Sequence, residues 1–221
     1  IPALANRSNT IFIMTGQVGY KINMNPMQPN TKTMPAMKQD EIVKGCSPKL
    51  HVLANLTWAA RATKVLENRN TKAPEYPKIQ GVEIEGDKDL NLVSYNTWRS
   101  KVGKSNLFNH VVISQSDGVL PTLTELLILK DGEYGLSGGQ QNYFSPLLPD
   151  VKMSRTTARG KIDNNERLRR AINLSSEICQ MKQLGLHSNL IMDMELLVQK
   201  LTTAGYNIDQ ILDTRGYWIP K

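Results

Sequence analysis

Between Lys152 and Arg170 the chain reads KMSRTTARGKIDNNERLRR, seven Lys/Arg against two Asp/Glu. Arg155 and Arg159 fall in a Ser/Thr/Gly-rich loop, and Arg167, Arg169 and Arg170 in what the pattern predicts to be the first turns of a helix. Guanidinium forks bind phosphate oxygens in pairs, loop hydroxyls add donors, and a helix start presents free backbone N–H groups to an anion. Arg155, Arg159, Lys161, Arg167, Arg169 and Arg170 are therefore the candidate nucleic-acid-binding residues, neutralising phosphate without reading bases. No aromatic residue lies in the stretch, so it offers no stacking platform for single-strand bases. The competing readings are a solvated segment paired with acidic residues of its own fold, and a site for an acidic protein partner.

A second chemistry is carried by carboxylates. Glu83, Glu85, Asp87 and Asp89 form an acidic strand and turn that could ligate a divalent ion, although they lack the Gly and terminal Glu of a calcium loop. With Lys104 and His110, Asp87 and Asp89 would be the residues of a metal-dependent, nuclease-like enzyme acting on phosphate substrates in the 83–110 region. A solvated hairpin tip is the plainer reading. His51, His110 and His187 are scattered, and nothing orients Cys46 toward His51 as nucleophile and base. Two cysteines, Cys46 and Cys179, are too few for a disulfide scaffold or a structural zinc site. No metal or other cofactor is expected.

Leu136–Gln141, LSGGQQ, resembles the signature sequence of ABC-type ATPases, which in that family leads straight into a helix facing a nucleotide phosphate. Here Pro146 and Pro149 forbid that helix, and Trp98 stands where the first Gly of a phosphate loop ending in Gly103-Lys104-Ser105 must be. The match reads as chance. Leu197–Arg215 resembles a helix-turn-helix with Gly205 at the turn, but Leu201 crowds the crossing and Asp209 and Asp213 would face DNA with acid.

The elements that must carry these residues follow from pattern. Of the 221 residues, 40% are hydrophobic and 21% charged, enough apolar material for a core. The net charge of +7 is uneven: residues 1–72 hold ten Lys/Arg against three Asp/Glu, and residues 73–151 six against ten. The chain opens on Ile1 rather than Met, which fits a processed product or a segment of something longer. Sequons at Asn6, Asn55 and Asn173 are near chance frequency, and Asn55 and Asn173 fall in expected helices. Pro26, Pro29 and Pro35, set among Asn, Thr and Met, predict an extended arm or long loop over 21–40. Ser47-Pro48 reads as N-cap and first position of a long helix, with Leu50, Leu53, Leu56, Trp58, Ala60, Val65 and Leu66 carrying it to Glu67. From Ile79 the signals turn to strands: Val82 and Ile84, Leu90 to Val93, and Val111 to Ile113, with turns at Asp117-Gly118 and Asp131-Gly132. Leu123 to Leu129 fits strand or helix equally, and 137–160 reads as loop. Asp163 with Glu166 suggests a capping box for a helix stopped by Gly185; Ser188 would cap a second helix and Asn207 a third.

The expected fold class is thus α+β: an N-terminal extended arm over 1–46, an α+β core over 47–150 opening with the long helix and continuing through a β-containing middle, and a basic loop with a three-helix C-terminal subdomain over 151–221. No stretch approaches the roughly 18 apolar residues of a membrane span. A self-associating structural protein in contact with RNA fits the arm, the opposed charge blocks and the basic loop. A viral capsid or nucleocapsid subunit, placed in the cytoplasm or a virion, has this description.

Overall fold

The computed structural model describes residues 11, 13–22, 24, 27, 37–45, 47, 54–82, 85–101, 103–139, 141–185 and 192–213. Asn6, Pro26, Pro29, Pro35, Cys46, Pro48, Leu50, His51, Leu53, Glu83, Ile84, His187, Ser188 and Arg215, named above, lie outside that set. The chain divides into two units, Ile1–Ala62 with Ser94–Asn109, and Thr63–Val93 with His110–Lys221.

In the first unit β1 (Val18–Tyr20) pairs antiparallel with β2 (Glu41–Val43), Gly19 standing opposite Ile42. A small core of Met37, Ala59 and Trp98 takes Val18 and Val43 against it. Glu41, almost fully buried, is held by the Arg61 guanidinium and by the backbone N–H of Lys38 at 2.6 Å. Burial alone would raise its pKa; these donors outweigh it and bring the carboxyl below its ordinary value. Arg61 also lies over the Trp98 ring, 5.2 Å from its centroid.

The expected long helix is replaced by a strand, β3 (Leu56–Val65). Its exposure alternates, with Ala59 inward and Leu56, Trp58 and Ala60 outward, so the apolar residues that fit a helical face in sequence stand on the outer row of a sheet. β3 joins β4 (Leu90–Ser100), β5 (Phe108–Ser114) and β6 (Gly118–Val119) in a four-stranded sheet of order β3-β4-β5-β6. β5 and β6 form a tight hairpin that sets Ser114 opposite Gly118.

The second unit holds the larger core. Helix α1 (Pro121–Asp131) starts with Pro in its first turn and buries Leu123, Leu126 and Leu129, so the ambiguous apolar run is a helix. Residues 137–160, expected as loop, instead form an antiparallel sheet of β7 (Ser137–Gly139), β8 (Asn142–Ser145) and β9 (Leu148–Met153), followed by the start of α2 (Ala158–Asn164). Helix α3 (Glu166–Leu184) is capped by Asn165, whose Oδ1 accepts from the Leu168 N–H at 2.9 Å. Asp163 is left inside α2. Gly185, at φ 71°, ends α3 in the left-handed conformation. Then come α4 (Met194–Thr203) and α5 (Ile208–Asp213), the latter opened by Asn207 Oδ1 accepting from the Asp209 N–H at 2.9 Å. Four described helices therefore follow residue 157 in place of the expected three, because the Asn165 cap divides one basic segment between two helices.

α1 packs on α3, where Asn173 meets Glu125 and the Cys179 thiol faces the Ile128 carbonyl. A Cβ at Gly135 would come within 2.9 Å of Ser175 Cβ, and one at Gly132 within 2.6 Å of Cys179 Sγ. Gly138 sits in β7 opposite Tyr143, at φ 95°, where a Cβ would run into the Asn142 carbonyl oxygen. The Gly138→Ala variant is expected to lose about 1–3 kcal/mol of stability, measured by denaturant unfolding, because both the backbone region and the close approach exclude a side chain. An unchanged midpoint would show that β7 can move.

Candidate functional site

The structure gives each of the six basic candidates its own partner. Arg155 follows β9, is exposed, and places Nη1 3.8 Å from Glu75. Arg159 on α2 is buried, its side chain 5% exposed. Its Nη2 donates to Asp117 Oδ2 at 2.8 Å, and both terminal nitrogens reach Asp89 Oδ2 at 3.4 Å. Asp89 also accepts from Ser114 Oγ at 2.8 Å and from the Ser116 N–H at 3.0 Å, while Lys78 holds Asp117 at 3.0 Å. Burial would lift Asp89, but these hydrogen bonds and Arg159 bring its carboxyl below the usual range. Asp117 is lowered mainly by Lys78, then by Arg159. Arg159 is thus a clamp inside the fold, not a surface contact.

The other four lie on α2 and α3 and turn toward different neighbours. Lys161 donates to the Lys152 carbonyl. Arg167 bridges to Asp209 and, at 3.2 Å, to Asp213 on α5. Arg169 donates to the carbonyls of Ile162 and Asp163 at 3.0 and 2.8 Å, closing the end of α2, and meets Glu166 at 3.7 Å. Arg170 donates to Asn173 Oδ1 at 2.9 Å, and Asn173 donates to Glu125 Oε1 at 2.9 Å. Side-chain exposures of 46%, 40% and 38% leave Arg155, Arg167 and Arg169 reachable from solvent despite their partners.

Of the carboxylates in the alternative reading, Glu83 lies outside the described residues, and Glu85, Asp87 and Asp89 are described. Asp87 accepts from the Asp89 N–H at 2.9 Å as a local turn, and Asp89 is occupied by serines and arginine. His110 belongs to the second unit and Lys104 to the first. Among the described residues no group of three or more His, Cys, Asp or Glu side chains could hold a metal ion. In the stretch that resembles the ATPase signature, Gly138 and Gly139 are hairpin residues, and strand β8 follows them.

Sequence reasoning missed one feature of the second unit. Lys130, in the last turn of α1, points its ammonium between two tyrosines from distant segments. Nζ donates to Tyr76 Oη at 3.0 Å and lies 4.2 Å from the centroid of the Tyr143 ring. A cavity of about 1110 Å³ opens beside it, walled by Leu127, Tyr134, Leu136, Tyr143, Ser154 and Arg155 among others. Burial brings the Lys130 pKa down to about 8; Glu75 and Asp131 oppose that shift and Arg155 adds to it. Burial likewise drives Tyr76 and Tyr143 well above the ordinary phenol value, so both stay protonated.

No protein-family model matches the chain, and no curated protein matches its sequence. The reading of function therefore rests on geometry alone. Among the described residues no helix is long and apolar enough to cross a membrane. Cys179 is buried on α3, its thiol pushed up by burial and directed toward the Ile128 carbonyl, which makes it a packing group.

Proposed function

We propose that the protein is an assembly subunit that associates with further copies of itself and contacts RNA through the exposed members of its basic segment. The observation that carries the reading is the distribution of exposed apolar side chains. Of sixteen large hydrophobic residues exposed among the described ones, eleven belong to the first unit, the smaller of the two. They include Tyr20, Ile22, Met24 and Met27 from the segment read as an arm, and Leu56 and Trp58 from the outer row of β3. Trp58 stands edge-to-face with Tyr95 at 6.3 Å, an aromatic pair of the kind that anchors protein interfaces. Each such side chain taken out of water contributes roughly 1.5–3 kcal/mol, so covering several by another copy supplies a driving force for association.

Phosphate contact rests on Arg155, Lys161, Arg167, Arg169 and Arg170; the burial of Arg159 removes it from that set. A viral capsid or nucleocapsid subunit is the kind of protein in which these two properties meet.

Size-exclusion chromatography with light scattering and ultraviolet absorbance, before and after nuclease treatment and in about 1 M salt, tests the reading. A particle larger than one chain that carries nucleic acid and changes on treatment supports it. A monomer with protein-only absorbance overturns it. Replacing Leu56 and Trp58 together by serine is expected to weaken self-association at least about tenfold, read as a shift in the concentration at which light scattering detects the multimer. Retention of the wild-type profile would exclude the outer row of β3 as the contact.

A further inference from the structure

We infer that the hairpin between β4 and β5 is a second contact for RNA, one that takes a single strand by stacking an unpaired base on Phe108 while Lys101 and Lys104 hold the phosphates. The inference rests on the proposed contact with RNA and adds to it what the basic segment lacks, an aromatic face. All the residues concerned belong to the first unit.

Charge singles out this unit. Residues 1–62 and 94–109 hold ten Lys/Arg against two Asp/Glu, whereas the rest of the chain holds seventeen against eighteen. The net charge of +7 therefore resides in the smaller unit, and one of its two carboxylates, Glu41, is already bound by Arg61. No acidic residue occurs between Asp89 and Asp117, a span that includes Arg99, Lys101 and Lys104. Lys101 and Lys104 are exposed at the hairpin tip. A second copy brought to this tip would set the same cations against each other, whereas a nucleic-acid strand brings a negative charge with every nucleotide.

The backbone of the hairpin holds the tip in place. Asn106, at φ 63°, is the left-handed residue of a bulge: its N–H donates to the Thr97 carbonyl at 2.6 Å, and the Thr97 N–H donates to the Leu107 carbonyl at 2.9 Å. Within the turn the Ser100 N–H donates to Ser105 Oγ and the Gly103 N–H to Ser100 Oγ, each at 3.0 Å. Ser105 is exposed and uses its oxygen as the acceptor there, so its hydroxyl proton can serve a phosphate oxygen. Phe108 opens the strand that leaves this turn; it is 64% exposed and belongs to neither buried cluster. A bare aromatic face on the same hairpin as exposed ammonium groups is the combination that holds single strands, the base stacking while the phosphates meet the cations. A duplex keeps its bases stacked on one another and offers the ring no face.

The test titrates the full chain with a labelled RNA of about ten nucleotides, as a single strand and as the duplex with its complement, and reads anisotropy. Phe108→Ala and Phe108→Leu are each expected to weaken single-strand binding about tenfold, to leave duplex binding within about twofold, and to keep both the salt slope and the melting transition. Phe108→Tyr, which retains the ring face, should bind as the wild type does. Lys101→Gln combined with Lys104→Gln should weaken both forms and lower the single-strand salt slope by about 1.4 units. Unaltered single-strand affinity in Phe108→Ala, or full affinity in Phe108→Leu, would overturn the stacking contact. So would a change in multimer size without RNA as the only effect, which would assign the ring to a contact between copies. Failure here is separable from failure of the wider reading. Loss of binding only on changing Arg155, Arg167 and Arg169 removes the hairpin and keeps the RNA contact, whereas a wild-type chain that binds neither form removes both.

Discussion

Replacing Arg159 with alanine is expected to lower the stability of the protein by about 3 kcal/mol. The guanidinium is 5% exposed, and it binds Asp89 and Asp117 while both carboxylates are also held by other donors. Removing it leaves Asp89 largely out of water with two serines but no counter-charge, and opens a space between α2 and the β5–β6 turn. Asp117 keeps Lys78 and solvent, so the loss falls on the Asp89 side. Arg159→Lys should recover only part of it, since a point charge cannot fork between two carboxylates. Denaturant unfolding of both variants gives the measurement, and a loss below about 1 kcal/mol would mean that Arg159 is not the clamp described. Acid provides the complementary check. A carboxyl whose folded pKa is depressed contributes stability that is fully present above the unfolded value of about 3.9 and is lost as pH falls through the folded value. The wild-type protein should therefore lose this contribution below about pH 4. In Asp89→Asn the loss should already be present at neutral pH, with a shallower acid limb.

The second large effect is expected on RNA. Changing Arg155, Arg167 and Arg169 together to glutamine should weaken binding at low salt by about a hundredfold and reduce the salt dependence by about two units of slope. Arg155 is exposed and Arg167 and Arg169 are half-exposed, and neutral replacements avoid setting new carboxylates against Asp209, Asp213 and Glu75. Since Arg169 also closes the end of α2, a melting curve accompanies the titration, and the comparison is made only below its onset. Unaltered affinity and slope would remove the basic segment from the proposed interface. Loss of affinity with an unaltered slope would point to a non-ionic contact elsewhere.

Local chemistry was the part of this fold open to reading from sequence. Gly185 stops α3 because only a residue free to adopt positive φ ends a helix that way, and Asn207 opens α5 because its side chain accepts the free N–H groups. The long helix failed for the opposite reason. Leu56, Trp58, Ala60 and Val65 fit a helical face on paper, yet a strand is fixed by its neighbours, and β4 lies too far along the chain to leave a mark on that spacing. The basic segment shows the same limit. Sequence identified seven cations but not which of them would be buried, since Arg159 is claimed by Asp89, 70 residues earlier, and Asp117, 42 residues earlier. The Lys130 cavity gave no signal at all: Tyr76 lies 54 residues away, and in the sequence Lys130 is merely the polar end of an apolar run.

The contact of Gly132 with Cys179 has a consequence for redox chemistry. Where a single added carbon would approach sulfur within 2.6 Å, there is no room on that side for an oxygen or an alkylating group. With the residue buried and that side closed, reaction from the α1 side needs α1 and α3 to separate, so its rate there follows the opening equilibrium of that helix pair instead of the intrinsic reactivity of the sulfur. Once an adduct forms, it acts as a wedge that prevents the helices from closing again. Oxidative damage at this position would therefore trap a transient opening as a permanent one.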